Sequence, residues 1–172
     1  TDRLNGIVDN LLSMSRLEAG RLKLKKAPTE PSDLASVAAG STSLAGHPLE
    51  VRVEEELPEV EVDFVLFVQA LANVLQNAAN HTPAGTPIEL SVNRSGTGVR
   101  FTVADAGPGV PSEELPRLFE TFFRGSRAAA GGVGLRLAIC KGIVEAHGGR
   151  ICAFISQQGG LSVAIEIPGS PP

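Results

Sequence analysis

Residues 69–83 read QALANVLQNAANHTP. Apolar residues recur through 64–80 at three- and four-residue spacing, which predicts a helix with one buried side. Asp63 stands just ahead of it, in the place of an N-cap. Gln69, Asn73, Gln76, Asn77 and Asn80 fall at i, i+4, i+7, i+8 and i+11, which is one face of that helix. A solvated face normally carries Lys and Glu, but this one carries uncharged amides. Asn costs about half a kcal/mol relative to Ala at each helical position, so this face needs a reason. Two readings stand: a polar face satisfied by neighbouring loops, or a face that meets a ligand. An amide carbonyl is a hard oxygen donor suited to Mg2+, and its NH2 group can reach a phosphate oxygen.

The segments around this helix alternate in type. Residues 2–18 carry Leu4, Ile7, Val8, Leu11, Leu12, Met14 and Leu17 at helical spacing, and Gly20 ends the run. That helix starts without a cap at Thr1 and has no helical partner in the next twenty residues, as if cut from something longer. A linker follows at 21–31, with a short strand at 22–25. A helix is expected at 32–44, a strand at 49–54, and surface loop along the acidic run 54–63. Strands at 88–94 and 99–105 flank the turn SGTG, a hairpin signal. A short helix follows Ser112, then a loop at 124–133, then a helix at 134–147 that Gly148 and Gly149 stop. Strands at 150–156 and 161–167 around QQGG close a second hairpin. Helices interleaved with antiparallel hairpins give an α+β sandwich with helices on one face of a sheet.

Two glycine-bearing stretches bear on the choice between the readings. DAGPG (105–109) ends the strand-like run VRFTVAD. Alone it is a turn. Beside an amide-lined helix, Asp105 becomes an acceptor for an exocyclic amine such as that of adenine, and Gly107 and Gly109 admit the base. GGVG (131–134) opens the next helix, where free N–H groups and the helix dipole suit a phosphate. It is neither a P-loop, since GxxxxGK[ST] is missing, nor a Rossmann fingerprint, since no strand precedes it.

Composition narrows the rest. The 172 residues carry a net charge of -4, with 42% hydrophobic and 20% charged residues, the profile of a soluble globular chain. No Lys/Arg cluster suggests nucleic acid, no apolar run approaches the ~20 residues of a membrane span, and no signal peptide is recognisable. Cys140 and Cys152 are expected to be buried thiols.

The order of these stretches resembles the catalytic, ATP-binding domain of bacterial sensor histidine kinases, in the superfamily shared with gyrase, Hsp90 and MutL. QALANVLQNAANHTP resembles its N-box and DAGPG its first glycine box. LFETFFRG (118–125) resembles its F-box, and GGVGLRLAICKGIVEAHGG (131–149) its second glycine box. DNLLSMSRLEAG (9–20) is similar to the end of the second helix of a dimerisation and phosphotransfer hairpin. The phrases DFVLFVQAL, HTPAGTPIE and GVGLRLAICKGIVEAHGG look most like the potassium-responsive KdpD branch.

The resemblance implies a two-layer α+β sandwich of the Bergerat type, with a mixed, mostly antiparallel sheet, helices on one face, and an added N-terminal helix. It implies hairpin end and linker over 1–26 and the ATP-binding domain over 27–172. ATP and Mg2+ would be the cofactors. Asn77 would hold the metal, with Asn73 supporting it one turn earlier, and these two form the catalytic pair. Asp105 would bind adenine in a pocket shaped by Gly107 and Gly109, with His81 beside the nucleotide. Phe119, Phe122 and Phe123 would anchor the near end of a lid over the phosphates. Gly132 and Gly134 would form its far hinge, and Leu135 would also meet the nucleotide. Two positions depart from the pattern: Asn80 stands where Lys is usual, and Arg136 replaces the last glycine of the second glycine box. The expectation is a charge swap, in which Arg136 supplies the cation that Asn80 cannot. Obstruction of the site and an outward-facing surface arginine are the alternatives.

None of His47, His81 and His147 lies in an HE-containing phosphoacceptor stretch. His147, just before two glycines, reads as a capping or surface residue. The acceptor histidine is therefore expected on a hairpin of the same or a partner chain, which would also supply the general base. A response regulator, a homodimer of the full protein, a cytoplasmic location, and no direct contact with nucleic acid or membrane complete the expectation. An ATP hydrolase of the same fold is disfavoured, because Asn73 stands where such relatives place a water-activating Glu. The rival from another class is a non-catalytic adenine-nucleotide sensor or scaffold.

Overall fold

A computed structural model of the chain describes residues 8, 11, 12, 15–17, 23–44, 46–121, 123, 134–157 and 159–170. In chain order these form β1 (Ala27–Thr29), α1 (Pro31–Ser41), β2 (Leu49–Val53), β3 (Val60–Val62), α2 (Phe64–Asn80), β4 (Ile88–Ser95) and β5 (Gly98–Asp105). A 3-10 turn (Ser112–Arg117), α3 (Arg136–Ala146), β6 (Arg150–Ile155) and β7 (Leu161–Ile167) follow. The main sheet runs β2-β4-β5-β7-β6. Only the β2–β4 pair is parallel; the other three are antiparallel. This is the mixed α+β sandwich expected.

Each sheet face follows from the period of two in a strand. On β5, Val99, Phe101 and Val103 are buried and alternate with Arg100, Thr102 and Ala104. The buried rows of β4, β5 and β7 face the helices, and the ring of Phe67 on α2 stands 5.2 Å from that of Phe101. Asp63 caps α2 as expected, its Oδ1 accepting the Leu66 N–H at 3.2 Å. α1 ends three residues earlier than expected, where the hydroxyls of Ser41 and Thr42 donate to the Ala38 carbonyl and close the last turn.

Several expectations are corrected. Residues 23–26 are not a strand; the first strand is Ala27–Thr29. It pairs antiparallel with Val60–Val62, inside the acidic run expected to be loop. Val60 and Val62 are fully buried on either side of exposed Glu61, an alternation too short to stand out among carboxylates. Cys140 is buried, and burial pushes its thiol pKa up, but Cys152 is exposed. It lies on edge strand β6 with the opposite parity to half-buried Ile151 and Ala153. His147 does cap α3 but is no surface residue: it is only 4% exposed. Of the expected N-terminal helix, residues 8, 11, 12 and 15–17 are helical; the rest of it and Gly20 lie outside the described residues.

Phe67 is fully buried between the rings of Phe101 and His147. Replacing it with Ala is expected to cost about 3–5 kcal/mol, read as a lowered midpoint of urea unfolding.

Candidate functional site

Asp105 continues the row of Val99, Phe101 and Val103 and is itself 5% exposed. An ionised carboxylate there needs donors. Its Oδ1 accepts the Gly107 N–H at 3.0 Å and the Leu161 N–H at 3.2 Å. Burial pushes its pKa up, and those two N–H groups and the charge of His81 pull it back. Both backbone bonds end on Oδ1, so Oδ2 is the oxygen left to meet an incoming donor.

The two donors arrive from separate parts of the chain. Gly107 comes from the turn after β5, and Leu161 opens β7. A Cβ at Gly107 would lie 2.5 Å from the methyl of Thr82, just past α2, and 3.1 Å from Asp105 Oδ1. Gly109 has φ +70°, and a Cβ there would lie 2.4 Å from the Gly159 carbonyl oxygen. DAGPG is thus pressed between the exit of α2 and the tip of the β6–β7 hairpin. Contacts within the protein already demand glycine at 107 and 109, whether or not a base is bound. Gly160 is the residue the sequence reading missed. A Cβ there would meet the Asp105 carbonyl oxygen at 1.9 Å. The available signal was QQGG, two glycines where Gly159, at φ +89°, suffices for the turn.

The amide face of α2 divides in two. Gln76 donates from Nε2 to Asn80 Oδ1 at 3.0 Å, so this pair satisfies itself at the surface. Asn73 is different: its Nδ2 is buried and has no hydrogen-bond partner. A buried orphan donor costs about 1–3 kcal/mol and marks a place where something else belongs. Asn77 lies one turn further on and is half-buried.

α3 approaches this face from the opposite end. The C-terminal end of α3 meets the N-terminal end of α2, because the Asp63 N–H donates to His147 Nε2 at 2.9 Å. The two helices then pack side by side in opposite directions. At a rise of 1.5 Å per residue, Arg136 lies about 16 Å from His147, level with the part of α2 about 16 Å beyond Asp63, beside Asn73 and one turn short of Asn77. Arg136 is half-buried, its pKa lowered by burial, and it joins none of the ion pairs among the described residues. An arginine stays charged in such a setting, so it is a cation in want of an anion.

Of the remaining expected residues, His81 is exposed beside Asp105, and Phe119 is half-buried against the core. Phe123 lies under the guanidinium of Arg117, 4.5 Å from its ring centre. Gly134 has φ +72°, in the left-handed region that favours glycine. The side chain of Leu135 is buried in the core, and its carbonyl oxygen accepts the Ile139 N–H at 2.9 Å. Phe122, Gly132 and the loop 124–133 lie outside the described residues.

Residues 62–171 match the family model of histidine kinase-, DNA gyrase B- and HSP90-like ATPases. The chain belongs to that family. Within this ATPase family it corresponds to the catalytic, ATP-binding domain of two-component sensor histidine kinases. The sensor protein KdpD of Clostridium acetobutylicum is 38% identical over 98% of this chain and 19% of its own length. The signal transduction histidine-protein kinase BaeS of Escherichia coli K12 is 39% identical over 96% of this chain and 37% of its own length. KdpD is thus among the relatives, as the resemblance implied, and BaeS matches equally well. The chain spans 19% and 37% of these two proteins. The crystal structure of full-length ShkA in complex with AMPPNP matches at 30% identity with a TM-score of 0.84, covering 99% of this chain and 37% of ShkA. Among the described residues, no helix of this ATPase-family domain is long and apolar enough to cross a membrane.

Gly160→Ala tests the junction around Asp105. A Cβ cannot fit against a backbone carbonyl at 1.9 Å, so the β6–β7 tip must move and the Leu161 N–H must leave Oδ1. The variant is expected to lose about 1–3 kcal/mol of stability. Hydrogen exchange should show the Leu161 amide losing protection while the amides of α1 keep theirs.

Proposed function

We propose that this domain holds Mg-ATP between DAGPG and the paired helices α2 and α3, and donates the γ-phosphoryl group to a histidine on a separate helical hairpin. The observation that carries the reading is Asp105: a buried carboxylate with one oxygen fixed by two backbone N–H groups and the other left for a ligand. The exocyclic amine of adenine is a donor of the right kind. Gly107, Gly109 and the β6–β7 tip frame the place where the base would lie.

The donor set fits magnesium. Among the described residues, no group of three or more His, Cys, Asp or Glu could hold a metal ion alone. Mg2+ asks for less: it keeps several waters and takes one or two protein oxygens beside substrate phosphates. The Asn77 carbonyl would be the protein oxygen. When bound, the ion would neutralise charge developing on the phosphates. The orphan Nδ2 of Asn73 would donate to a phosphate oxygen or to water. Arg136, level with these amides, would hold the outer phosphates in place of a cation at position 80, where Asn80 is occupied by Gln76. Phosphoryl transfer needs positioning and charge neutralisation more than covalent chemistry, and these groups supply both.

Residues 1–26 would then be the end of the phosphotransfer hairpin with its linker, and 27–172 the ATP-binding domain, with the hairpin in the same or a partner chain. A homodimer, a response regulator as the next acceptor and a cytoplasmic location follow from the two-component reading. Hydrolysis is disfavoured, because an amide at 73 cannot act as a base for water.

Asp105→Asn tests the adenine role. The amide oxygen can still take the two N–H donors, so the variant is expected to fold. Its NH2 then faces the pocket, where it opposes another donor. Two opposed donors cost about 1–3 kcal/mol, so calorimetry should show ADP binding weakened about ten- to a hundredfold. Unchanged affinity in the folded variant would remove Asp105 from the site.

Arg136→Gly separates three roles for the arginine. As a phosphate ligand its loss weakens ATP by around tenfold, or ~1.4 kcal/mol, and leaves adenosine unchanged. Tighter ATP binding would mean that Arg136 obstructs the site, and no change would mean that it faces solvent.

A further inference from the structure

Asp63 and His147 join three parts of the chain at the end of α2 that carries none of the site residues. The Asp63 N–H donates to His147 Nε2 at 2.9 Å. Since Nε2 accepts, the ring is neutral with its proton on Nδ1, which donates to the Ile143 carbonyl at 2.7 Å. The Asp63 carboxylate is used twice more: Oδ1 caps α2, and Oδ2 accepts the Lys25 N–H at 2.9 Å from the linker ahead of β1. The N-terminal helix touches α3 one turn from His147. At Gly142 a Cβ would lie 2.7 Å from Leu17 Cδ1, so Leu17 packs flush on the helix backbone.

We propose that His147 is a positioning residue for nucleotide binding: its neutral ring locks α3 to α2 at the linker end of the domain, and protonation opens the lock. The proposal rests on the nucleotide reading only for its effect on binding. Asn73 and Asn77 stand on one helix, about 15 Å and about 21 Å from the lock, and Arg136 on the other, about 16 Å from it. Their alignment depends on how the two helices are set against each other, and the Asp63–His147 bond fixes that setting at one end. A protonated ring carries N–H on both nitrogens, so Nε2 would confront the Asp63 N–H donor to donor and the bond is lost.

The charges facing the ring decide when this happens. Lys26 in the linker opposes protonation, and Asp63 ahead of α2 favours it; the uncharged ring of Phe67 stands 5.9 Å away in a T-shaped arrangement. Burial is the largest influence and holds the imidazole pKa below the ordinary histidine value. A depressed folded-state value means that the lock is whole above the ordinary histidine pKa and is lost as pH falls through the lower one.

The test compares this 172-residue chain with His147→Gln, which cannot take up the proton. ADP affinity is measured by calorimetry at about pH 8 and at an acid pH where the NMR signals of the His147 ring show it protonated, below its depressed value. Titration of ADP itself acts on both chains alike. The parent is expected to lose about tenfold more affinity on acidification than the Gln variant; equal losses overturn the proposal. A second arm needs no variant and no nucleotide. Residue-resolved hydrogen exchange should show the Asp63 amide protected at the higher pH and unprotected once His147 is protonated, with β5 amides unchanged. An Asp63 amide still protected beside a protonated ring overturns the proposal. Should the chain bind no ADP at either pH, the nucleotide reading fails while the exchange arm still decides the lock.

Discussion

A carboxylate placed at the end of an apolar row obliges the surrounding chain to bring it donors. Asp105 imposes that demand. β5 carries it in the same register as Val99, Phe101 and Val103, so it enters a buried environment by geometry alone. One N–H comes from the turn that follows and the other from the start of β7. To deliver them, the turn must fold back on Thr82 and the β6–β7 tip must press against the Asp105 backbone. Glycine at 107 and 160 follows from these approaches. Three separate stretches of chain are thereby gathered around one side chain.

The second requirement is alignment of two helices. In the proposed site α2 brings the amides and α3 brings the arginine. The amide face is locally unfavourable, since each Asn costs about half a kcal/mol against Ala in a helix. The orphan Nδ2 of Asn73 adds to that cost. Such losses persist where a functional group is worth more than the stability given up.

Much of this was legible in the sequence because it is local. The amphipathic period of α2, its Asp63 cap, both hairpins and the glycine stop after α3 all lie within windows of a few residues. The proposed site residues stand out as a set only through the order in which their motifs occur. What escaped was long-range. β1 and β3 are three residues each and find one another across some thirty positions, so neither had a signal of its own. Gly160 read as part of a turn because its constraint comes from Asp105, 55 positions earlier. His147 read as a surface or capping residue because its partner Asp63 is 84 positions away. In each case the residue type was visible and the neighbour that gives it meaning was not.

The two cysteines differ in a way that experimenters can use. Cys140 is enclosed and its thiol resists ionisation, whereas Cys152 faces outward on edge strand β6. A maleimide or a nitroxide reagent would therefore find one target in the folded chain without any substitution. β6 leads directly into the hairpin tip that touches the Asp105 backbone. A dye or spin label at Cys152 would sit on the same hairpin as that contact, so the native sequence already carries an attachment point for watching the hairpin tip shift.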